Sequence, residues 1–329
     1  MARSSAAEMQ PSRLVSVIIP CKYVGANALE CVSHLSALTY SAYEILLLPD
    51  YAIEAKLPGV RVIPTGEVPP SVKRDLAAKH ANGEILAFID DDAFPRPDWL
   101  DHAVVPFDDE SVGAVGGPGV TPSADGILEQ ASGLVLQSWL GSGPHAYRYT
   151  PGHRMDVDDY PSCNLLVRKS TFNAAGGFET NYWPGEDTKL CLSITNELRQ
   201  RIVYEPDALV YHHRRSIFGG HVSQVRSYGL HRGFFVKKYP ATSRRLSYFM
   251  PTLFALGLVA GIPLLLIPIL GAIYLFTIAL YLTSVLVSSA MVTRHAVAMF
   301  PLVFVGTVLT HIVYGTAFLR GLLARDLAR

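Results

Sequence analysis

The sequence predicts an α/β domain with a mostly parallel sheet and helices on both faces, followed by an α-helical membrane region. Between residues 14 and 117, short β-branched runs alternate with segments whose apolar residues have helical spacing, which is typical of parallel sheets. Half of the 329 residues are hydrophobic, 17% are charged, and the mean hydropathy is +0.25. Residues 249–293 contain no charged side chain, and roughly 20 such residues suffice for one membrane-crossing helix.

The individual elements follow from apolar periodicity and from the proline and glycine residues that interrupt it. In chain order, the predicted strands are 14–20, 43–48, 60–63, 84–89, 112–117, 162–168, 202–204 and 209–211, and the predicted helices are 26–38, 71–80, 97–107, 126–138, 186–199 and 219–239. The segment 121–160, rich in glycine, proline and aromatic residues, predicts a substrate loop. Residues 219–239 mix aromatic and basic side chains, which predicts a helix in the membrane interface.

The charge distribution predicts the orientation of the chain. Residues 208–245 carry eight Lys and Arg and no acid, whereas residues 1–207 carry 27 acidic and 16 basic groups. By the positive-inside rule, this basic collar and the acidic domain before it lie in the cytoplasm of a multi-pass protein of the cell (inner) membrane. A nucleic-acid partner is not expected, because the basic residues adjoin the apolar segments rather than covering a soluble face.

The apolar region divides into about three hydrophobic segments, near 249–270, 272–293 and 297–319. Three spans would place the basic C-terminal tail outside, against the charge rule. A shallow first hairpin, a re-entrant third segment and a tail that departs from the rule remain open. The N-terminus has no apolar run typical of a signal peptide, and the four cysteines lack the C-x-x-C spacing of a zinc site.

Three acidic residues, Asp90, Asp91 and Asp92, directly follow the predicted strand 84–89. An α/β sheet binds its ligands at the carboxyl ends of its strands, and alternate carboxylates of such a turn can hold one Mg²⁺ or Mn²⁺. Asp90 and Asp92 are therefore predicted metal ligands. The alternative is an acidic turn that caps the next helix.

Two further clusters carry candidate chemistry. Glu186 and Asp187 open a predicted helix, where they either cap it or supply a base for a hydroxyl nucleophile, with Trp183 as an apolar wall around the reacting group. After the strand 209–211, an imidazole could add a metal ligand and two arginines could bind phosphate, or the group could be a basic patch on the membrane surface. We assign the weak metal prediction to His213 and the phosphate prediction to Arg214 and Arg215.

Taken in order, these motifs resemble the family 2 glycosyltransferases of the GT-A fold. The resemblance rests on VSVIIP (15–20), EILLLPD (44–50), VKRDLAAKHANGEILAFIDDD (72–92), SCNLLVRKSTFNAAGGFE (162–179) and WPGEDTKL (183–190), and it extends to about residue 240. Tyr23-Val24 and Tyr51-Ala52 replace the usual Asn-Glu and Gly-Ser. Residues 224–228 (QVRSY) lack the tryptophan of the Q-x-x-R-W motif of processive members, which argues against a polymer-secreting channel.

The resemblance implies roles for particular residues. Asp187 would be the general base with Glu186 beside it, and Asp90 and Asp92 would hold Mg²⁺ or Mn²⁺. The implied donor-binding residues are Pro20, Asp50, Arg74, Asp90 and Asp91, and the weaker acceptor-side or diphosphate-side residues are Asn164, Trp183, Arg214, Arg215, Gln224 and Arg226.

The implied organisation is a polar tail at 1–13, a GT-A catalytic domain at 14–215, a basic interfacial helix region at 216–247, a membrane region at 248–320 and a basic tail at 321–329. The implied activity is inverting transfer of a sugar from a UDP-, GDP- or dTDP-sugar to a polyprenyl-linked saccharide, in contact with membrane lipids, during cell-surface polysaccharide biosynthesis. A polyprenyl-phosphate glycosyl synthase and a non-catalytic scaffold of a polysaccharide assembly complex are the alternatives.

Overall fold

The computed structural model describes residues 13–180, 182 and 184–327 of the chain. Eight strands form the main sheet: β1 Val15–Pro20, β2 Tyr43–Leu48, β3 Val60–Val62, β4 Ile85–Ile89, β6 Val112–Gly116, β8 Met155–Val157, β9 Asn164–Arg168 and β10 Arg201–Tyr204. Their order is β3-β2-β1-β4-β9-β6-β10-β8. Three short strands, β5 Ala93–Pro95, β7 Gly119–Val120 and β11 Val210–His212, form a second sheet in the order β5-β11-β7.

The N-terminal half of the main sheet is parallel and the other half is mixed. β1 pairs in parallel with β2 and β4, and β2 pairs in parallel with β3. β9 lies antiparallel between β4 and β6, and β10 is parallel to β6 and antiparallel to β8. The α/β prediction is confirmed. β1 and β4 run in the same direction, so the acidic turn after β4 lies at the edge of the sheet where β1 also ends.

Helices cover both faces of this sheet. They are α1 Ala26–Leu35, α2 Pro70–His80, α3 Trp99–Ala103, α6 Lys169–Ala174 and α7 Glu186–Leu192, whereas α4 Ile127–Gln137 and α5 Trp139–Ser142 pack against the C-terminal region. One apolar core joins the sheet to α1 and α3 through residues such as Leu35 and Trp99, both with no exposed surface. The second core joins the opposite face to α2, α6 and α7 through Ala77, Phe172 and Leu190.

Three predicted helices end earlier than expected. α1 stops at Leu35 instead of residue 38. The helix predicted at 97–107 begins at Trp99 and breaks after Ala103 into a 3-10 turn, Val105–Asp108, whose proline lacks the amide proton that an α-helix needs. The helix predicted at 186–199 becomes α7 followed by a π-helical turn at Ser193–Glu197.

The C-terminal region contains α8 Gly220–Lys238, α9 Pro240–Ser243, α10 Leu246–Ala260, α11 Pro268–Val292 and α12 Phe300–Leu323. Within the described part of the chain, two helical segments are long and apolar enough to cross a membrane, Pro268–Val292 and Val297–Leu323. α10 has 15 residues, about 22 Å at 1.5 Å per residue, and is followed by a 3-10 turn at Ile262–Leu266. The first predicted hydrophobic segment, 249–270, is therefore not one long helix but α10, this turn and the start of α11.

The predicted interfacial helix α8 packs along α12 with its backbone in direct contact. A Cβ atom at Gly233 would lie 2.0 Å from the carbonyl oxygen of Phe318, and one at Gly321 would lie 1.9 Å from that of Leu230. Both glycines are buried, and their missing side chains allow the two helices to touch. His221 on α8 is a second link to α12, because one ring nitrogen lies 2.9 Å from the Thr310 hydroxyl. Its other ring nitrogen lies 2.8 Å from the Ser132 hydroxyl on α4.

Candidate active site

The acidic turn after β4 meets a histidine that the second sheet brings to it. β11 pairs with β5 in a register that sets His212 opposite Ala93, one residue beyond the acidic turn. Nε2 of His212 lies 3.1 Å from a carboxylate oxygen of Asp92. Asp90, Asp92 and His212 each offer one ligand atom, and these atoms lie within 4.8 Å of one another. Two hard carboxylates and one imidazole fit a divalent cation such as Mn²⁺ or Mg²⁺.

The charges at this turn differ from those of exposed carboxylates. Burial opposes ionisation of Asp92, yet the adjacent His212 and Arg214 hold the pKa of Asp92 below its usual value. Although burial and Arg214 disfavour a charged imidazole, Asp92 raises the pKa of His212 to about 10. Burial, followed by the charges of Asp92 and Asp90, raises the pKa of Asp91 to about 7.

Arg74 joins the acidic turn to the second acidic motif. It lies on α2, is 3% exposed, and places Nη2 2.6 Å from Asp90 and Nη1 3.3 Å from Glu186. Its Nε has no hydrogen-bond partner among the described residues. A single buried guanidinium therefore holds together two carboxylates that lie 96 residues apart, at the ends of two different elements.

Glu186 and Asp187 form the first turn of α7, after Gly185 with a φ of 132°. Burial raises the pKa of Glu186 above its usual value, against the charge of Arg74. Asp187 accepts a hydrogen bond of 2.8 Å from the Thr188 backbone N–H. Burial and then the charges of Glu186 and Asp159 raise the pKa of Asp187 to about 7, which suits a general base at neutral pH.

A cavity of about 490 Å³ begins at Asp187 and extends between the helices of the C-terminal region. Its polar wall includes Asp187, Arg148, Asp159 and Arg232, and its apolar wall includes Phe254 on α10 and Tyr281 on α11. Most of its lining is apolar. The cavity therefore connects the candidate base with the segments that are apolar enough to cross a membrane.

The structure brings only some of the predicted donor-binding residues close to one another. Pro20 ends β1 and is buried. Asp50 is 6% exposed, and its carboxylate forms an ion pair of 2.5 Å with Lys73, whose amine also donates to the Cys21 carbonyl at 2.7 Å. The carboxylate of Asp50 is thus already occupied by a buried lysine. Arg74, Asp90 and Asp91 lie together at the edge of the sheet.

The prediction that His213 is a metal ligand is wrong, because the ring of His213 points away from the acidic turn. Nδ1 of His213 lies 2.6 Å from Asp125 and Nε2 lies 2.9 Å from Glu30, so both nitrogens are engaged away from the acidic turn. Successive residues of a strand point to opposite faces, and the neighbouring His212 points to the acidic turn instead.

Asn164, another predicted site residue, uses its side chain for hydrogen bonds within the protein. It is fully buried, accepts a hydrogen bond from Trp99 at 3.0 Å, and donates to the Ala208 carbonyl at 2.8 Å. These bonds tie β9 to α3 and to the segment before β11, and they leave this side chain no surface for an acceptor. Trp183 lies outside the described residues.

The remaining acceptor-side or diphosphate-side predictions are spread over the surface. Arg214 donates to the Gly119 carbonyl and lies 3.0 Å from Nδ1 of His212, so it supports the candidate metal site from behind. Arg215 and Arg226 are exposed. Gln224 donates a hydrogen bond of 2.9 Å to the Tyr228 hydroxyl.

Sequence reasoning missed the charged wall of the cavity. Arg148 and Asp159 come from the predicted substrate loop, and Arg232 comes from the predicted interfacial helix. One signal was available: Asp158 and Asp159 form an acidic pair in the predicted loop, and residues 208–245 further along the chain are strongly basic.

Comparison with known proteins gives three findings. The family model described as "Glycosyl transferase family 2" matches residues 16–172. The chain is 29% identical over 160 residues to the "Pre-mycofactocin glycosyltransferase" of Mycobacterium tuberculosis, a match that covers 49% of this chain and 33% of the relative. It is 22% identical over 161 residues to the "Glucosyl-dolichyl phosphate glucuronosyltransferase" of Haloferax volcanii, covering 43% of this chain and 47% of the relative. The matches thus span between a third and a half of the length of these relatives.

The fold is shared with a solved glycosyltransferase structure. The "Mannosyltransferase PcManGT from Pyrobaculum calidifontis in complex with GDP-Man and Mn2+" aligns with a TM-score of 0.54 and 17% identity, over 96% of this chain and 89% of that chain. The GT-A fold predicted from the motifs is therefore confirmed.

Proposed function

We propose a reaction for this protein on the premise that residues 16–172 are a family 2 glycosyltransferase domain and that the chain is a glycosyltransferase. The reaction is the transfer of a sugar from a nucleotide-sugar donor to a lipid-linked saccharide acceptor. The observation that carries the proposal is the cavity that joins Asp187 to the apolar helices α10 and α11. A water-soluble acceptor would not need a binding cavity that extends between apolar helices.

The donor is assigned to the edge of the sheet at Asp90, Asp92 and His212, with Arg74 and Asp91 close by. These residues would hold a divalent cation, Mg²⁺ or Mn²⁺, which neutralises the charge that develops on the departing nucleoside diphosphate. Arg74 orients Asp90, and His212 orients Asp92, so the carboxylates are fixed before a donor arrives. The candidate donors are UDP-, GDP- and dTDP-sugars.

We assign Asp187 as the base that takes the proton from the acceptor hydroxyl. The anomeric C–O bond to the nucleoside diphosphate breaks as the acceptor oxygen bonds to the anomeric carbon, and the hydroxyl proton passes to Asp187. Attack from the face opposite the leaving group inverts the anomeric configuration. Glu186 keeps Arg74 and the first turn of α7 in place beside this base.

The membrane location is part of the proposal. Apolar side chains of α11 point outward, for example Ile269 at 75% exposure and Phe276 at 69%, and a lipid phase would cover them. Two spans, α11 and α12, return the chain to the side on which it started. The basic collar and the basic tail then both lie in the cytoplasm, which satisfies the positive-inside rule. We propose a multi-pass protein of the cell (inner) membrane.

Two features support a lipid carrier, as used in cell-surface polysaccharide biosynthesis. One is the printed name of the Haloferax volcanii relative, which refers to a dolichyl phosphate. The other is the mostly apolar lining of the cavity. A second candidate, direct glycosylation of polyprenyl phosphate, is favoured by the arginines Arg148 and Arg232 in the cavity wall.

The test is a donor screen on the full chain purified in detergent. Nucleoside-diphosphate release is measured from UDP-, GDP- and dTDP-sugars with Mg²⁺ or Mn²⁺, using a membrane lipid extract as acceptor source. We expect release that requires the metal and the extract, and that falls by about 10²–10⁴ in Asp187→Asn. Asp92→Ala should also lose activity.

The matched control is Asp156→Asn, because Asp156 is an exposed carboxylate paired with Arg201, and it should retain wild-type activity. Undiminished activity of Asp187→Asn would contradict the assigned base. Turnover with bare polyprenyl phosphate would establish the synthase alternative. If no donor is bound or turned over, the chain would be a scaffold rather than an active transferase.

A further inference from the structure

A buried cluster of charge in the cavity wall has no role in the reaction as assigned above. Arg232 on α8 donates to Asp159 at 2.8 Å, and Arg148 lies 3.7 Å from the same carboxylate. Arg148 also donates to the Asp159 carbonyl. Asp159 is 3% exposed, and all three side chains line the cavity. The single carboxylate of Asp159 thus faces the guanidinium groups of both arginines.

The charge of this cluster is not balanced by its neighbours. Arg245 is engaged with Asp158, so that pair adds no net charge. Burial and the adjacent Arg148 lower the pKa of His145 to about 3, so the imidazole is neutral. Asp187, with its pKa raised to about 7, carries only a partial charge at neutral pH. Arg148, Asp159 and Arg232 together therefore keep about one positive charge in a largely apolar cavity.

Hydrogen-bond donors at the cluster also remain available. Nε of Arg148 is buried and has no hydrogen-bond partner among the described residues, and Nδ1 of His145, which donates or accepts according to the tautomer, has none there either. Unsatisfied buried donors are uncommon, and an anionic ligand is one of the groups that can complete them. The guanidinium of Arg232 lies 4.9 Å from the centre of the Tyr248 ring, which restricts its orientation.

The position of the cluster indicates what an anion there would be attached to. Thr188 links it to the candidate base, because its hydroxyl donates to Asp159 at 3.2 Å and its backbone N–H donates to Asp187 at 2.8 Å. On the other side the cavity is lined by Phe254 and Tyr281 of the apolar helices. A ligand that fills this space carries an anion near Asp187 and a hydrocarbon chain toward the membrane helices.

We propose that Arg148 and Arg232 bind the phosphate of an isoprenoid lipid carrier, with Asp159 as the resident counter-ion that holds both guanidinium groups in place. Arginine suits this role because its planar donor pairs match phosphate oxygens. The proposal rests on the proposed function and deepens it, since it names the residues that hold the phosphate of the acceptor.

The test measures binding rather than turnover, so that its outcome is separate from that of the donor screen. The full chain in detergent is titrated with a short-chain polyprenyl phosphate, with the corresponding uncharged polyprenol and with inorganic phosphate. We expect the phosphate lipid to bind at least about tenfold more tightly than the polyprenol. Arg148→Gln and Arg232→Gln should each weaken binding of the phosphate lipid by about tenfold or more. Binding of the polyprenol should not change.

Two further variants keep the proposal falsifiable if an arginine variant fails to fold. Asp159→Asn keeps an oxygen that can accept hydrogen bonds from the arginines but removes the negative charge that competes with the phosphate, and it should strengthen binding of the phosphate lipid. Lys238→Gln removes an exposed positive charge from the same helix, α8, away from the cavity, and should change nothing. Donor and metal binding, measured by calorimetry, should be unaltered in all variants.

Three results would overturn the proposal. Arginine variants that bind the phosphate lipid as tightly as the wild type would make the cluster a purely structural tie. Equal binding of polyprenol and polyprenyl phosphate would exclude recognition of the phosphate. Inorganic phosphate that binds as tightly as the lipid would exclude recognition of a lipid carrier. Arginine-dependent lipid binding without any donor turnover would instead refute the proposed function and retain the lipid-phosphate site.

Discussion

The contact between α8 and α12 gives a prediction whose size follows from the structure. A Cβ atom at Gly233 would lie 2.0 Å from the Phe318 carbonyl oxygen, whereas ordinary contacts of this kind begin at 3.4 Å. In Gly233→Ala the two helices must therefore move apart by about 1.4 Å at this point. The atom in the way belongs to backbone, so no side-chain rotation can relieve the overlap.

We expect Gly233→Ala to destabilise the protein by about 1–3 kcal/mol, the usual cost of overpacking. That corresponds to a decrease in the unfolding midpoint of about 1–4 °C, because a chain of 329 residues has an unfolding entropy of roughly 0.7 kcal/mol/K. The matched control is Gly257→Ala on α10, where a Cβ would meet nothing within 4 Å. The same substitution there should raise stability by up to about 1 kcal/mol, because alanine favours the helix.

The assay is thermal unfolding in detergent, followed by tryptophan fluorescence at one fixed scan rate for wild type and both variants, since such midpoints depend on scan rate. Opposite shifts of the midpoint are expected. If Gly233→Ala unfolds at the wild-type temperature or above it, the close approach of α8 and α12 is not present in the folded protein and the reasoning is refuted.

Other predictions concern the candidate active site. The rate of nucleoside-diphosphate release should rise with pH up to about 7 and level off above it, because Asp187 is an active base only when deprotonated, and this dependence should vanish in Asp187→Asn. His212→Ala should raise the Mn²⁺ concentration for half-maximal activity by about tenfold or more, whereas His213→Ala should not; equal effects would contradict the assignment of His212. Arg74→Gln leaves Glu186 buried without its partner and should cost about 3–5 kcal/mol in chemical denaturation, and a neutral result would show that this ion pair does not stabilise the fold.

The sequence was sufficient to predict the features that depend on local pattern. The acidic turn follows a run of five buried residues, Ile85–Ile89, and both the strand and its ligand-binding end could be inferred from that order. The choice between His212 and His213 could not be made in this way. It depends on the register of β11 against β5, and a shift of one residue exchanges the two side chains.

The charged wall of the cavity illustrates a different limit. Arg148, Asp159 and Arg232 are separated by up to 84 positions, and no spacing rule connects a loop residue with a helix residue at that distance. The helix boundaries within the first hydrophobic segment were missed for a local reason. Ile262–Leu266 forms a 3-10 turn where continuous hydropathy predicted one long helix, since hydropathy alone does not report where a helix ends.

The glycine contact between α8 and α12 also has a mechanical consequence. α8 touches α12 backbone to backbone, so the two helices form one unit, and Arg232 of α8 ties this unit to Asp159 of the α/β domain. If a membrane holds the C-terminal helices, the distance of Asp187 from the lipid would therefore be fixed by the fold. The protein would then reach only acceptor hydroxyl groups that lie at one distance from the membrane. Acceptors would come to it by diffusion in the plane of the lipid.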